Sequence, residues 1–228
     1  MTTRASRSRG MPRRTAPIAA PSRVPLLLGA GVVALILIAA VVAFALSGTA
    51  STGLPEPARA ATAVTGTALP TFSDPASDPA IGQAIPAITG MDLAGTAISI
   101  APDDGPMAVV LLAHWCSHCQ AEVPVLVDYL ASTGMPEGVR LVALSTSIDA
   151  ARPNYPPSAW LEREGWTAPT MVDDATSSGL AALGMTSFPG FVFVDADGTV
   201  VQRYTGEMPI ETFDQVVRSL APEPPSGA

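Results

Sequence analysis

The sequence predicts an α/β domain with a central mixed β-sheet flanked by helices, preceded by one N-terminal transmembrane helix. Three observations carry this. Met107 to Ala113 (MAVVLLA) and Val139 to Ser145 (VRLVALS) are apolar runs of strand length, separated by a helical pattern. Such a strand–helix–strand unit pairs its strands in parallel. Gly190 to Asp195 and Thr199 to Tyr204 flank Ala196-Asp197-Gly198, a hairpin signal that adds antiparallel pairing. Val24 to Leu46 carries no charged side chain and, as a helix, is about 33 Å long, enough for a hydrocarbon core of about 30 Å.

Charge divides the chain at that apolar run. All 12 basic residues are arginine, six of them before it, and all 20 acidic residues follow it. The positive-inside rule then sets the N-terminus in the cytoplasm and the rest outside. The run exceeds the roughly 7–15 residues of a cleavable signal, which favours an uncleaved anchor over a signal peptide ending near Ala43-Phe44-Ala45. The acidic remainder argues against nucleic-acid binding.

Taken in order, residues 1–23 are a disordered basic segment and 24–46 the membrane span. Residues 47–80 are rich in Ala, Thr, Pro, Ser and Gly without periodicity, and read as a flexible linker. The folded domain is expected over 81–220. Gly82 to Ile88 leads to the turn Asp92-Leu93-Ala94-Gly95, and Ala97 to Ile100 reads as an edge strand. Met107 to Ala113 is buried on both faces. From Ser117 to Ser132, Val123, Leu126, Val127 and Leu130 form one helical stripe, with Pro124 inside and Gly134 and Pro136 closing it. Asn154-Tyr155-Pro156-Pro157 is a turn, and a short helix is expected from Ser158 to Glu164. A small strand at Thr170 to Val172 precedes a helix over Thr176 to Leu183. Pro209 to Leu220 is the closing helix, and the Pro-rich tail 221–228 is expected to be disordered.

The chemistry concentrates in Ala113-His114-Trp115-Cys116-Ser117-His118-Cys119, which holds the only two cysteines. The strand delivers Cys-x-x-Cys to the start of a helix. Unpaired N–H groups and the positive dipole end favour a thiolate there. The first thiolate attacks a disulfide, and the second cysteine resolves the mixed disulfide. A structural disulfide closes too small a loop to stabilise much. A metal site drawing on His114, Cys116, His118 and Cys119 would need four ligands from six consecutive residues, and no second Cys-x-x-Cys accompanies it. No metal and no dissociable cofactor are therefore expected.

Order and residues together resemble a thioredoxin fold, and within it the TlpA-like family of membrane-anchored extracytoplasmic thiol–disulfide oxidoreductases. Trp115-Cys116-Ser117-His118-Cys119 stands where that family has W-C-x-x-C, and Glu122-Val123-Pro124 matches its downstream E-x-P. Phe188-Pro189, before the hairpin strand, stands where the fold has its cis-proline. The resemblance implies a redox-active Cys116–Cys119 disulfide with Cys116 exposed and Cys119 resolving. It implies substrate binding along the backbone of Phe188 and Pro189, protein thiol or disulfide substrates, and a membrane redox partner. It favours a reductase, of the kind that serves cytochrome c maturation or metal-site assembly. Val110 stands where thioredoxin has a buried aspartate, six positions before the first cysteine.

Four further residues are assigned supporting roles. His118, as a cation or donor, would stabilise the Cys116 thiolate and favour an oxidase or isomerase; the plain alternative is a solvated histidine. Glu122, one turn past Cys119, is either a proton acceptor or a helix-surface carboxylate. Trp115 packs over the active-site surface, and Pro189 sets backbone beside Cys116. His114 is read as exposed and without a role. Trp160, Trp166, Tyr155 and Met171 are read as packing residues rather than a partner-binding face. A copper or zinc chaperone using the same cysteines stays open. A thiol peroxidase ranks last, because Ala113 stands where peroxiredoxins carry threonine.

Overall fold

A computed structural model describes residues 61–222. Eight strands form one mixed sheet: β1 (Ala63–Thr65), β2 (Ala87–Asp92), β3 (Ala97–Ile100), β4 (Met107–Leu112), β5 (Arg140–Ser145), β6 (Thr170–Val172), β7 (Gly190–Val194) and β8 (Val200–Thr205). The helices are α1 (Ser117–Ser132), α2 (Pro157–Arg163), α3 (Ser178–Ala182) and α4 (Ile210–Ser219). The sheet order is β1-β2-β6-β5-β4-β7-β8, with β3 on the other edge of β2. β4 is central, parallel to β5 and antiparallel to β7.

Every residue of β4 is buried, and alternation sorts its side chains between two cores. Ala108, Val110 and Leu112 join Leu141, Ala143, Phe191 and Phe193 on the face covered by α1, α2 and α4. There they meet Cys119, Val123, Leu126, Trp160 and Phe213. Met107, Val109 and Leu111 face the other way, against Leu69, Ile88, Leu183 and Met185. A strand with apolar side chains on both faces can sit only between two layers, which is why the run before the cysteines is unbroken.

The structure corrects the expected start of the domain. Residues 61–80, read as linker, belong to the fold. β1 pairs with β2, and the Leu69 and Phe72 N–H groups donate to the Ala182 and Gly184 carbonyls at 2.9 and 2.8 Å. The buried Arg203 on β8 donates through Nε to Asp78 Oδ2 at 2.9 Å, forms a second bond to the same carboxylate, and reaches the Pro70 and Leu183 carbonyls. Gly184 adopts φ +66°, and a Cβ there would strike the Leu69 and Pro70 carbonyls. This segment is held by isolated long-range contacts, so it leaves no periodic trace in sequence. α3 is also shorter than expected. Asp173 and Asp174 accept from N–H groups of residues 174–180, so the chain turns there before helix begins.

No helix among the described residues is long and apolar enough to cross a membrane. The basic head at 1–23, the expected span at 24–46, residues 47–60 of the expected linker and the tail from 223 lie outside the described residues.

Candidate active site

Cys116 is the N-cap residue of α1, directly after the turn that leaves β4. No side chain caps this helix, and its first turn holds no acid. The Cys116 thiol, half-buried, points to the Phe188 carbonyl at 3.7 Å. The Phe188–Pro189 peptide bond is cis, as the resemblance implied, and Phe188 is itself half-exposed beside the sulfur.

Cys119, one turn further on, is fully buried. Its sulfur accepts from the Ala113 N–H at 3.4 Å. Burial pushes the Cys119 thiol up strongly, only partly offset by that N–H, and the nearby Cys116 sulfur and Glu122 carboxylate push it further. Both cysteines are free thiols.

Glu122 is the second buried titratable group here, 2% exposed. Its Oε2 accepts from the Met208 N–H at 3.0 Å, while Oε1 has no partner among the described residues. Burial raises its carboxyl to about 7, against the lowering effect of the Met208 N–H and with a further push from Glu207. The structure rules out the reading of Glu122 as a helix-surface carboxylate: its side chain is buried, on the same helix one turn past Cys119.

His118 is exposed, and its Nδ1 meets Glu207 Oε1 at 2.7 Å. Glu207 and Met208 are neighbours on the β8–α4 connection, so this one loop engages both His118 and Glu122.

His114 corrects the sequence reading, which had it exposed and idle. It is fully buried. Nδ1 donates to the Pro153 carbonyl at 2.7 Å, and Nε2 accepts from the Asp149 N–H at 3.2 Å. That pattern requires the neutral imidazole, in keeping with burial, which lowers its basicity. Its own carbonyl accepts from Gln120 and Asn154. With both ring nitrogens on backbone of the 146–157 segment, His114 is turned away from metal ligation with the sulfurs. Among the described residues no three His, Cys, Asp or Glu side chains are arranged so that they could hold a metal ion.

Trp115 donates from Nε1 to the Ser147 carbonyl at 2.8 Å and meets the Phe188 ring edge-on at 6.0 Å. The Arg152 guanidinium lies over its ring, 4.4 Å from the centroid. Sequence reasoning gave no role to Ser147, Arg152 or Glu207. Each lies 30 or more residues from the side chain it serves, and none sits in a periodic element. Trp160, Trp166 and Met171 are buried packing residues, as expected, while Tyr155 is partly exposed against His114.

The Redoxin family model matches residues 66–220. No curated protein matches the sequence. Among solved structures, the chain is similar to the thioredoxin domain of a thiol-disulfide oxidoreductase from Bacteroides vulgatus, at TM-score 0.50 and 23% identity over 62% of this chain and 98% of that one. A DsbF homologue from Corynebacterium diphtheriae gives TM-score 0.51 and 17% identity over 68% and 100%. A thioredoxin-family thiol:disulfide interchange protein from Chlorobium tepidum gives 0.50 and 22% over 61% and 96%. At these identities the likeness is one of fold, and the fold is thioredoxin-like.

Proposed function

This chain belongs to the Redoxin family and is a thiol–disulfide oxidoreductase, and from that premise we propose that it is a membrane-anchored reductase of protein disulfides outside the cytoplasm. The reaction runs in two displacements. The Cys116 thiolate attacks a substrate disulfide; a Cys116–substrate bond forms and one substrate sulfur leaves as thiolate. Cys119 then gives its proton to the Glu122 carboxylate and attacks the Cys116 sulfur. The Cys116–Cys119 disulfide forms, and the second substrate sulfur leaves. The protein dithiol is oxidised by two electrons and the substrate disulfide is reduced by two. A membrane redox partner returns the pair to the dithiol.

The observation that carries this reading is a half-buried first thiol followed on one helix by a buried second thiol and a buried carboxyl. Cys116 opens beside the Phe188 carbonyl, Cys119 lies buried behind it, and the inward-facing Glu122 has one oxygen free. A buried thiol pushed up by its surroundings needs a base before it can attack, and a carboxyl at about 7 is matched to that task. Glu122 offers this although Val110 replaces thioredoxin's aspartate.

The reductase direction is supported by Glu207, which stands against His118. A cation beside the attacking thiolate stabilises the reduced state and makes a pair oxidising. Here that side chain is matched by Glu207 at 2.7 Å, so its pull on the sulfur is opposed. Anchoring is supported by the 24–46 apolar run and the arginines before it.

Trapping tests the reading. Cys119→Ser should accumulate mixed disulfides with extracytoplasmic proteins, released by a small thiol, and Cys116→Ser should trap none. Equal trapping by both variants, or by neither, would sink it.

A further inference from the structure

Five arginines lie among the described residues, and four are ion-paired. Arg140 meets Asp104 at 3.1 Å, Arg163 meets Glu164 at 3.2 Å, Arg218 meets Asp214 at 2.8 Å, and Arg203 is buried against Asp78. Arg152 has no ion-pair partner among the described residues, in a chain of 20 acidic against 12 basic residues. It is exposed, and its guanidinium rests on Trp115 beside Cys116.

The backbone around Arg152 explains why it stays there. Ser147, at φ +50°, turns its carbonyl to the Trp115 indole. The Asp149 N–H and the Pro153 carbonyl both bind the buried His114 ring, and the Arg152 N–H donates to the Asp149 carbonyl at 3.0 Å. Arg152 thus sits in a short turn tied on both sides to the residues that precede Cys116. The rim of the sulfur is polarised: on the Trp115 side stands a cation outside ion-pair distance of any described carboxylate, with the Asp149 carboxylate of the same turn engaged by the Ala151 N–H at 2.9 Å, and on the other side the His118–Glu207 pair. Stacking on an aromatic ring leaves the in-plane N–H fork of a guanidinium open to a carboxylate.

We propose that Arg152 is a specificity-determining residue, receiving the carboxylate of an acidic side chain close to the target cysteine of a protein substrate. The substrate class is therefore disulfides flanked by Asp or Glu. This rests on the disulfide-exchange reading above and adds to it the chemistry of what is exchanged.

The test uses the full chain, reduced, in detergent. The probes are short peptides with one cysteine held in a mixed disulfide with 2-mercaptoethanol, and Glu, Gln or Arg two residues away. Each turnover reduces one probe disulfide to peptide thiol and free 2-mercaptoethanol, and oxidises Cys116 and Cys119 to their disulfide. The readout is the ratio of rate constants between probes, which cancels any general effect of a substitution on attack or folding. The Glu probe should react faster than the Gln probe by about two- to fivefold, as for an exposed ion pair, and the Arg probe slower. Raising the salt should shrink the ratio. Arg152→Lys should keep part of it, Arg152→Gln should bring it near one, and Arg152→Glu should reverse the order. A wild-type ratio near one, or a ratio that survives Arg152→Gln, overturns the proposal while leaving disulfide exchange standing. Failure of the reduced chain to react with any probe overturns both.

Discussion

Burial acts on Cys119 and Glu122 alike, and it raises both above their ordinary values. For Glu122 the consequence can be read in stability. Between its ordinary value of 4.5 and its folded value of about 7, the folded chain holds a proton that the unfolded chain has released. Stability from this group is therefore full below about pH 4.5, falls as pH rises through about 7, and stays lower beyond. Glu122→Gln keeps an acceptor for the Met208 N–H and removes the charge. It should be more stable than wild type at pH 8 by roughly 2–3 kcal/mol and nearly equal at pH 4, as thermal or denaturant unfolding at the two pH values would measure. The same substitution should slow release of the mixed disulfide by about 10²-fold or more, and abolish the rise of that step as pH passes about 7. A stopped-flow trace of release against pH checks this; an unaltered profile would remove Glu122 from the mechanism.

On the opposite side of the rim, Glu207→Gln takes a negative charge from beside His118. One negative charge fewer then stands on the rim near the Cys116 thiolate, so the reduction potential should rise. His118→Ala should lower it, and in His118→Ala the Glu207 substitution should lose the part of its effect that acts through the histidine. Thiol–disulfide equilibration against glutathione measures all four states of this cycle.

Residue roles divided by range in how far they could be read. Cys116, Cys119, Pro189 and Glu122 lie on short motifs whose spacing places them on a strand end, a helix turn or a hairpin entry. The inward face of Glu122 stays open in the sequence, because its partner, the Met208 N–H, lies 86 residues further on. His114 was misread because its partners, Asp149 and Pro153, lie 35 and 39 residues further on. An imidazole at the end of a fully buried strand was the available signal, since such a ring must find backbone partners.

At the scale of elements, the 146–157 segment and the N-terminal segment before β2 do work that periodicity does not announce. The first ties down His114 and Trp115. The second is stapled by Arg203 and Asp78, whose side chains are almost wholly buried. The guanidinium holds the Asp78 carboxyl below the usual carboxylate range. That contribution is present above the ordinary range and is lost as pH falls through the depressed folded value. Asp78→Ala leaves Arg203 buried without its counter-charge and should cost about 3–5 kcal/mol, whereas replacing both residues with apolar side chains should cost much less. Denaturant unfolding of the single and double variants measures this. A neutral Asp78→Ala would mean that residues 66–80 contribute little to the domain. By contrast, β3, β4, β6, α1 and the β7–β8 hairpin lie within a residue or so of where apolar runs and turn signals put them. Their side chains are chosen by the two cores they join, and burial of that kind repeats along the chain.

At the scale of the whole molecule, the charge divide and the apolar run at 24–46 support the proposal of an anchored protein with its thiols outside the cytoplasm, which labelling and fractionation test. In intact cells a membrane-impermeant thiol reagent should label Cys116, and alkaline washing should leave the full-length chain in the membrane fraction. Labelling only after lysis would place the thiols on the cytoplasmic side. A shorter chain in the soluble fraction would mean that the run is a cleaved signal.

The proposed direction of electron flow unites the three scales: Glu207 pairs with His118, the 146–157 segment shapes the rim, and the proposed anchor would place the chain beside a membrane partner. The reduction potential of the Cys116–Cys119 pair, equilibrated against glutathione, tests it most directly. A reductase fed from the membrane requires a value near that of thioredoxin, about −270 mV. A value approaching about −120 mV, as in a strong disulfide oxidant, would contradict the account.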